Sequence, residues 1–91
     1  MEREVAVLTD DQILGTIKGI LEKQFNIDPD KVTLQVNLIK DLPLDSLDVV
    51  EFAAEVEEVF AIELHPDDQD QLELENPTIR ETVNLVKKYT N

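Results

Sequence analysis

Twenty-one acidic against eight basic residues in a chain of 91, with no cysteine, give a formal net charge of −13 and exclude disulfides, thiolate metal centres and a protein thiol nucleophile. One domain with one modest core fits this length, and so acidic a surface is repelled by nucleic-acid phosphates and anionic membranes, which points to partners with basic surfaces. No stretch approaches the roughly 20 apolar residues of a membrane span, and the opening MEREVAVLTDD lacks the apolar run of a signal peptide, so a cytoplasmic monomer is expected.

In chain order, residues 1–8 form a short N-terminal extension, whose Val5, Val7 and Leu8 become ordered only by finding apolar surface; a single domain over 9–91 comes next. Thr9 and Gln12 have capping-box spacing, with Asp10 and Asp11 in the first turn, where the helix dipole favours acids. Ile13, Leu14, Ile17, Ile20, Leu21 and Phe25 then recur at helical spacing as one buried stripe. Asn26 suits a left-handed stop and Pro29 bars continuation, so this helix covers about residues 10–25. Between 27 and 44, Val32, Leu34, Val36 and Leu38 alternate with polar residues like a half-buried strand. No second strand signal offers a partner. The segment is therefore expected to be an extended loop laying its apolar residues on the bundle, with a helical turn near Asn37–Asp41. A second helix opens at Asp45, a good N-cap with Asp48 three residues on, and runs to about residue 60, with Phe52, Val56, Val59 and Phe60 facing the first helix and Asp48, Glu51, Glu55 and Glu58 on an acidic face, Glu57 beside it. A short helix after His65-Pro66 holds Leu72 and Leu74, and Pro77 interrupts. Thr78 and Glu81 then open a last helix with Ile79, Val83, Leu85, Val86 and Tyr89 as its apolar residues and Lys87 and Lys88 at its C-terminal end. The expected fold is all-α: a four-helix bundle with a short third helix and a long loop between helices 1 and 2.

The chemistry-bearing candidate is Asp45-Ser46-Leu47-Asp48 at the start of the second helix. Either Asp45 caps this helix and leaves the Ser46 hydroxyl pointing outward, or Ser46 is itself the cap, which serine often is. The local pattern alone favours the second reading.

The wider sequence bears on that choice. Asp41-Leu42-Pro43-Leu44-Asp45-Ser46-Leu47-Asp48-Val49-Val50-Glu51 resembles the modification-site motif of acyl carrier proteins, whose core is Asp-Ser-Leu. The stretch Glu57 to Leu64 resembles the end of that family's second helix and the residues just after it, Gln24 to Ile27 the end of its first, and Asn37 to Asp41 the turn before the motif. Residues 10–90 can be laid onto the family. The resemblance implies a carrier, not an enzyme, in which a phosphopantetheinyl transferase uses coenzyme A and magnesium to attach 4'-phosphopantetheine covalently to Ser46, flanked by Asp45 and Leu47. The arm's thiol then holds acyl groups as thioesters for fatty acid, polyketide or related acyl assembly. It further implies that Asp48, Glu51, Glu57 and Glu58, with apolar Val50, Ala54 and Leu47, meet acyl-transferring and chain-building enzymes through their basic docking surfaces. Phe52, Val56, Phe60, Ile62 and Leu64 are candidates to shelter an acyl chain. A non-modified acidic interaction domain and a peptidyl or aminoacyl carrier are the competing readings.

The chain departs from the commonest family pattern at Pro43-Leu44, Ala54 and Val59 and in the length of the His65–Asn76 connection, which points to a specialised pathway. His65, the sole histidine, lies in a Pro-adjacent loop and is not expected to be catalytic. The Asp67-Asp68-x-Asp70 and Asp28-x-Asp30 clusters lack the calcium-loop spacing, with its central glycine and terminal glutamate, so no dedicated metal site is expected.

Overall fold

Thr9 fixes where the first helix begins. Its hydroxyl accepts the Gln12 backbone N–H at 3.2 Å while the Gln12 side chain accepts the Thr9 N–H at 2.9 Å, the reciprocal box expected from the spacing. The computed structural model describes residues 8–74 and 78–90 and places four helices there: α1 (Asp10–Phe25), α2 (Ser46–Phe60), α3 (Pro66–Leu74) and α4 (Ile79–Thr90). The fold is all-α, with the short third helix and the long first connection as expected. Asn26 ends α1 in the left-handed conformation at φ 59°. Of the N-terminal extension, Leu8 packs against the core; Val5 and Val7 lie outside the described residues, as does Pro77.

Each helix contributes a stripe to one core. Ile13, Ile17, Ile20 and Leu21 of α1 meet Val49, Phe52, Ala53 and Val56 of α2, with Leu72 from α3 and Ile79, Val83 and Val86 from α4. Leu14 and Phe25 are only partly buried and flank the stripe. Phe25 meets Phe52 edge-on, ring centroids 6.5 Å apart. Val59, expected in the buried stripe of α2, is instead 49% exposed. It stands three positions beyond Val56, far enough round the helix to leave the core and reach the rim of the α1 face. The stop of α2 also had no sequence signal: Ala61 adopts a left-handed φ of 55°, and the Ile62 and Ala61 amides close onto Glu57 and Glu58 carbonyls at 3.0 and 3.3 Å.

The connection over residues 26–45 solves the problem of the unpartnered strand pattern. A single 3-10 turn, Pro29–Lys31, starts it. Val32 and Leu38 are buried and Leu34 and Val36 partly so. The exposed backbone groups between them pair with the first turn of α4: Ile79 and Arg80 amides donate to the Val36 and Leu34 carbonyls, both at 2.9 Å, and Asn37 bridges to Thr78. Two of the amides that a helix start leaves unsatisfied are thus satisfied by the loop, and the Thr78 hydroxyl accepts a third from Glu81 at 3.1 Å. The expected turn at Asn37–Asp41 is present, closed by the Asp41 amide on the Asn37 carbonyl at 3.0 Å.

Both glycines of the chain, Gly15 and Gly19, lie inside α1 with ordinary helical backbone, and a Cβ added at either would meet nothing within 4 Å. Each costs the helix about 1 kcal/mol relative to alanine. Gly15→Ala and Gly19→Ala are therefore expected to raise the melting temperature by about 4–8 °C apiece, measured by thermal unfolding monitored by circular dichroism.

The far end of the bundle is tied by Tyr89. Its hydroxyl donates to the Asp68 carboxylate in α3 and accepts the His65 amide at 3.0 Å; Lys88 reaches the same carboxylate at 3.1 Å. The Tyr89 bond holds the Asp68 carboxyl below its ordinary value of 3.8, against the opposing effect of burial, and Lys88 adds to the lowering. A carboxyl lowered in the folded state stabilises the fold above its unfolded value and loses that contribution as pH falls through the folded one. Tyr89→Phe is expected to melt lower than wild type at pH 7, with the gap closing as pH drops below 3.8. Melting curves of both proteins between pH 7 and pH 2 check this; a gap independent of pH would assign the loss to packing alone.

Candidate functional site

The choice between the two caps of α2 is settled by geometry. Asp45 has extended backbone (φ −102°, ψ −179°), and its carboxylate accepts the Asp48 N–H at 2.9 Å; the Asp48 carboxylate accepts the Asp45 N–H at 3.1 Å. Asp45 is the cap. Ser46 is the first helical residue and exposed, its hydroxyl released from the capping role.

The surroundings hold this serine at a fixed place. Leu42 and Leu44 upstream and Val49 downstream are buried in the core, so the backbone is pinned on both sides of the exposed tripeptide. Leu44, adjacent to the motif in sequence, therefore faces inward and packs with the bundle. Further back, the Asn37 side-chain oxygen accepts the Ile39 and Lys40 amides, both at 2.9 Å, and Asp41 accepts the Asn37 amide at 2.8 Å. Asn37 is buried. Its role as organiser of the approach to α2 is one that sequence reasoning missed, although an Asn at a turn before a buried Leu is a readable signal.

Beyond Ser46, α2 exposes the apolar residues that the family resemblance implied, with two acids of the row read from the spacing. Leu47 is 69% and Val50 43% exposed, and Ala54, Glu51 and Glu58 are exposed with them. Two other acids of the expected set are occupied within the chain. Asp48 serves the cap, and the Glu57 carboxylate accepts the Leu64 amide at 2.8 Å, holding the segment between α2 and α3. Of the residues named as shelter for an acyl chain, Phe52, Val56 and Leu64 are buried and Phe60 and Ile62 partly buried. His65 lies against the Tyr89 ring at 5.8 Å, remote in sequence from the motif and part of the α3–α4 tie.

Comparison with known proteins gives the site its context. A family model described as the phosphopantetheine attachment site matches residues 15–86, a span that contains the whole motif. The chain belongs to the acyl carrier protein family. An acyl carrier protein of Lactobacillus johnsonii is 33% identical over 84 residues, covering 92% of this chain and all of that protein. One from Helicobacter acinonychis is 47% identical over a shorter stretch of 53 residues, 58% of this chain and 67% of its own. The solved structure of the acyl carrier protein from Enterococcus faecalis superposes with a TM-score of 0.68 at 30% identity, covering 90% of this chain and 99% of that one.

The prosthetic group of such a carrier is 4'-phosphopantetheine, whose terminal thiol supplies the thioester chemistry that a chain without cysteine cannot supply itself. The residues present fit a covalent attachment and not a free anion. An exposed hydroxyl at a helix start is reachable, and the helix dipole there is favourable to a phosphodiester. Asp45 and Asp48, by contrast, place two carboxylates beside it, which repel a free phosphate. Among the described residues no helix is long and apolar enough to cross a membrane.

Proposed function

We propose that Ser46 is the attachment residue of this carrier, and that residues 9–91 act as one carrier domain that performs no catalysis of its own. The observation that carries the assignment is the cap: the Asp45 carboxylate takes the Asp48 amide, so Ser46 is exposed and its hydroxyl is released from capping. In the transfer, the Ser46 oxygen bonds to the phosphorus of the pantetheine half, the diphosphate bond of coenzyme A breaks with adenosine 3',5'-bisphosphate leaving, and the hydroxyl proton goes to a base of the transferase. Asp45 and Leu47 frame the reacting oxygen. The flanking carboxylates attract the transferase's basic surface and its magnesium.

On this reading Glu51 and Glu58 offer free carboxylates to acyl-transferring and chain-building enzymes, with Leu47, Val50 and Ala54 as apolar contacts. Asp48 and Glu57 shape the surface through the backbone that they hold. Such exposed charge pairs form quickly and dissociate readily, which suits a carrier that must leave each enzyme. The net charge of −13 opposes self-association and supports a monomer, and a cytoplasmic setting gives access to coenzyme A. Fatty acid, polyketide or related acyl assembly is the pathway class.

Intact mass after incubation with coenzyme A, magnesium and a broad-specificity phosphopantetheinyl transferase tests the assignment. One added phosphopantetheine, located on the Ser46 peptide by fragmentation, is the expected result. A folded protein that gains nothing is the result expected of an unmodified interaction domain.

A further inference from the structure

Pro43 stands between two buried leucines. The Leu44 amide donates to the Leu42 carbonyl at 2.8 Å, which closes a three-residue turn around Pro43. The proline ring holds φ near −65°, close to what such a turn needs, and the ring itself is exposed. Leu42 and Leu44 are 4% and 7% exposed and share one buried cluster with Val49 and Phe52. The departure from the commonest family pattern at Pro43-Leu44 thus has one structural result: the turn sends a four-carbon side chain into the core. Ser46 is exposed two residues further on, and two residues span at most about 7 Å of chain. The Leu44 side chain therefore enters the core at the end where the arm is rooted.

We propose that Leu44 determines which cargo this carrier can bury: its side chain plugs the core beside Ser46, so that short acyl groups stay outside the bundle. The proposal rests on Ser46 being the attachment residue. A close-packed core admits a chain only by moving side chains already in place, and at the end nearest the arm that side chain is Leu44. Burial of an alkyl chain is driven by the apolar area it takes out of water. A butyryl tail carries three apolar carbons beyond its carbonyl, while an expelled leucine returns four to water, so the exchange is not favourable. Alanine at position 44 removes three carbons, the number in that tail, and an apolar cavity takes up an apolar ligand of matching size.

The test transfers a butyryl-bearing arm whole, from butyryl-coenzyme A with magnesium and a broad-specificity phosphopantetheinyl transferase, and verifies the product by intact mass. Wild type, Leu44→Ala, Leu44→Val and Leu44→Met are compared with Val86→Ala, which opens a cavity on α4 far along the chain from the motif. Two quantities are read: the rate at which hydroxylamine cleaves the thioester, and the melting temperature relative to the same protein with a bare arm. In wild type and in Leu44→Met, which conserves volume, cleavage matches that of butyryl-coenzyme A and melting does not change on loading. In Leu44→Ala cleavage slows about tenfold and loading raises the melting temperature. Leu44→Val gives a smaller protection of the same sign, and it carries the test if the alanine variant does not fold. Val86→Ala behaves as wild type. A thioester already protected in wild type, one fully exposed in both Leu44→Ala and Leu44→Val, or equal protection in Val86→Ala would overturn the proposal. A folded wild type that receives no butyryl arm overturns the Ser46 reading and this proposal with it; an arm loaded on Ser46 without the expected protection overturns this proposal alone.

Discussion

Ser46→Ala takes up no phosphopantetheine and melts at or slightly above the wild-type temperature, whereas Asp45→Ala melts lower. The two outcomes separate chemistry from structure at adjacent residues. Asp45 makes the capping bond to the Asp48 amide, and Asp48 returns one to the Asp45 amide, so alanine at 45 removes a cap worth about 1 kcal/mol. For a domain of this size that is a fall of about 4–8 °C. Ser46 occupies the first helical position and is exposed; alanine there loses no bond that the helix needs and gains a little helix propensity. Intact mass and a melting curve on each variant suffice. If Ser46→Ala lost stability as a cap variant does, the hydroxyl would be structural, and the attachment reading would lose the observation on which it stands.

The same pair of residues shows what the sequence made legible and what it did not. The capping box at Thr9, the Thr78 hydroxyl on the Glu81 amide, the stop at Asn26 and the four helices of the described residues could all be read, because each depends on side chains within one turn of the backbone they bond. The cap of α2 could not: Asp45 and Ser46 are both good cap residues, and only the observed bond to Asp48 decides between them. The alternating apolar residues from Val32 to Leu38 were equally ambiguous. Their backbone partner is the first turn of α4, some forty positions away, and no local period announces a helix start pairing with an extended loop. Nor does the charge row on α2 reveal that Glu57 spends its carboxylate on the Leu64 amide while Glu51 and Glu58 stay exposed. Val59 marks a further limit. A stripe drawn by helical spacing has blurred edges, and one residue's rotation moves a side chain from core to surface. The motif residues themselves were legible through their family resemblance, not through any geometry implied by spacing.

Phe52→Ala is expected to remove about 3–5 kcal/mol of stability, several times the loss expected from removing the α2 cap. Phe52 is wholly buried and meets Phe25 edge-on at 6.5 Å, so its loss forfeits both the transfer of an aromatic side chain and the contacts around the space left behind. With only three phenylalanines and one tyrosine in the chain, the surrounding core is made of branched aliphatic residues already close-packed in their rotamers, and these cannot swing in to refill a ring-sized void. Domains of this kind retain about 5–15 kcal/mol in all, so the variant would sit near the threshold of folding. Urea unfolding should show a midpoint much reduced at an unchanged slope. The consequence for function is separable. Any fraction that is folded still presents Ser46 on a capped helix, because the Asp45–Asp48 bonds lie at the surface and do not involve the ring. Arm transfer per folded molecule should therefore match wild type, while transfer per total protein falls with the folded fraction. A variant that unfolds no more readily than wild type would mean that the core relaxes around the missing ring, and that α1 and α2 pack less specifically than their buried stripes imply.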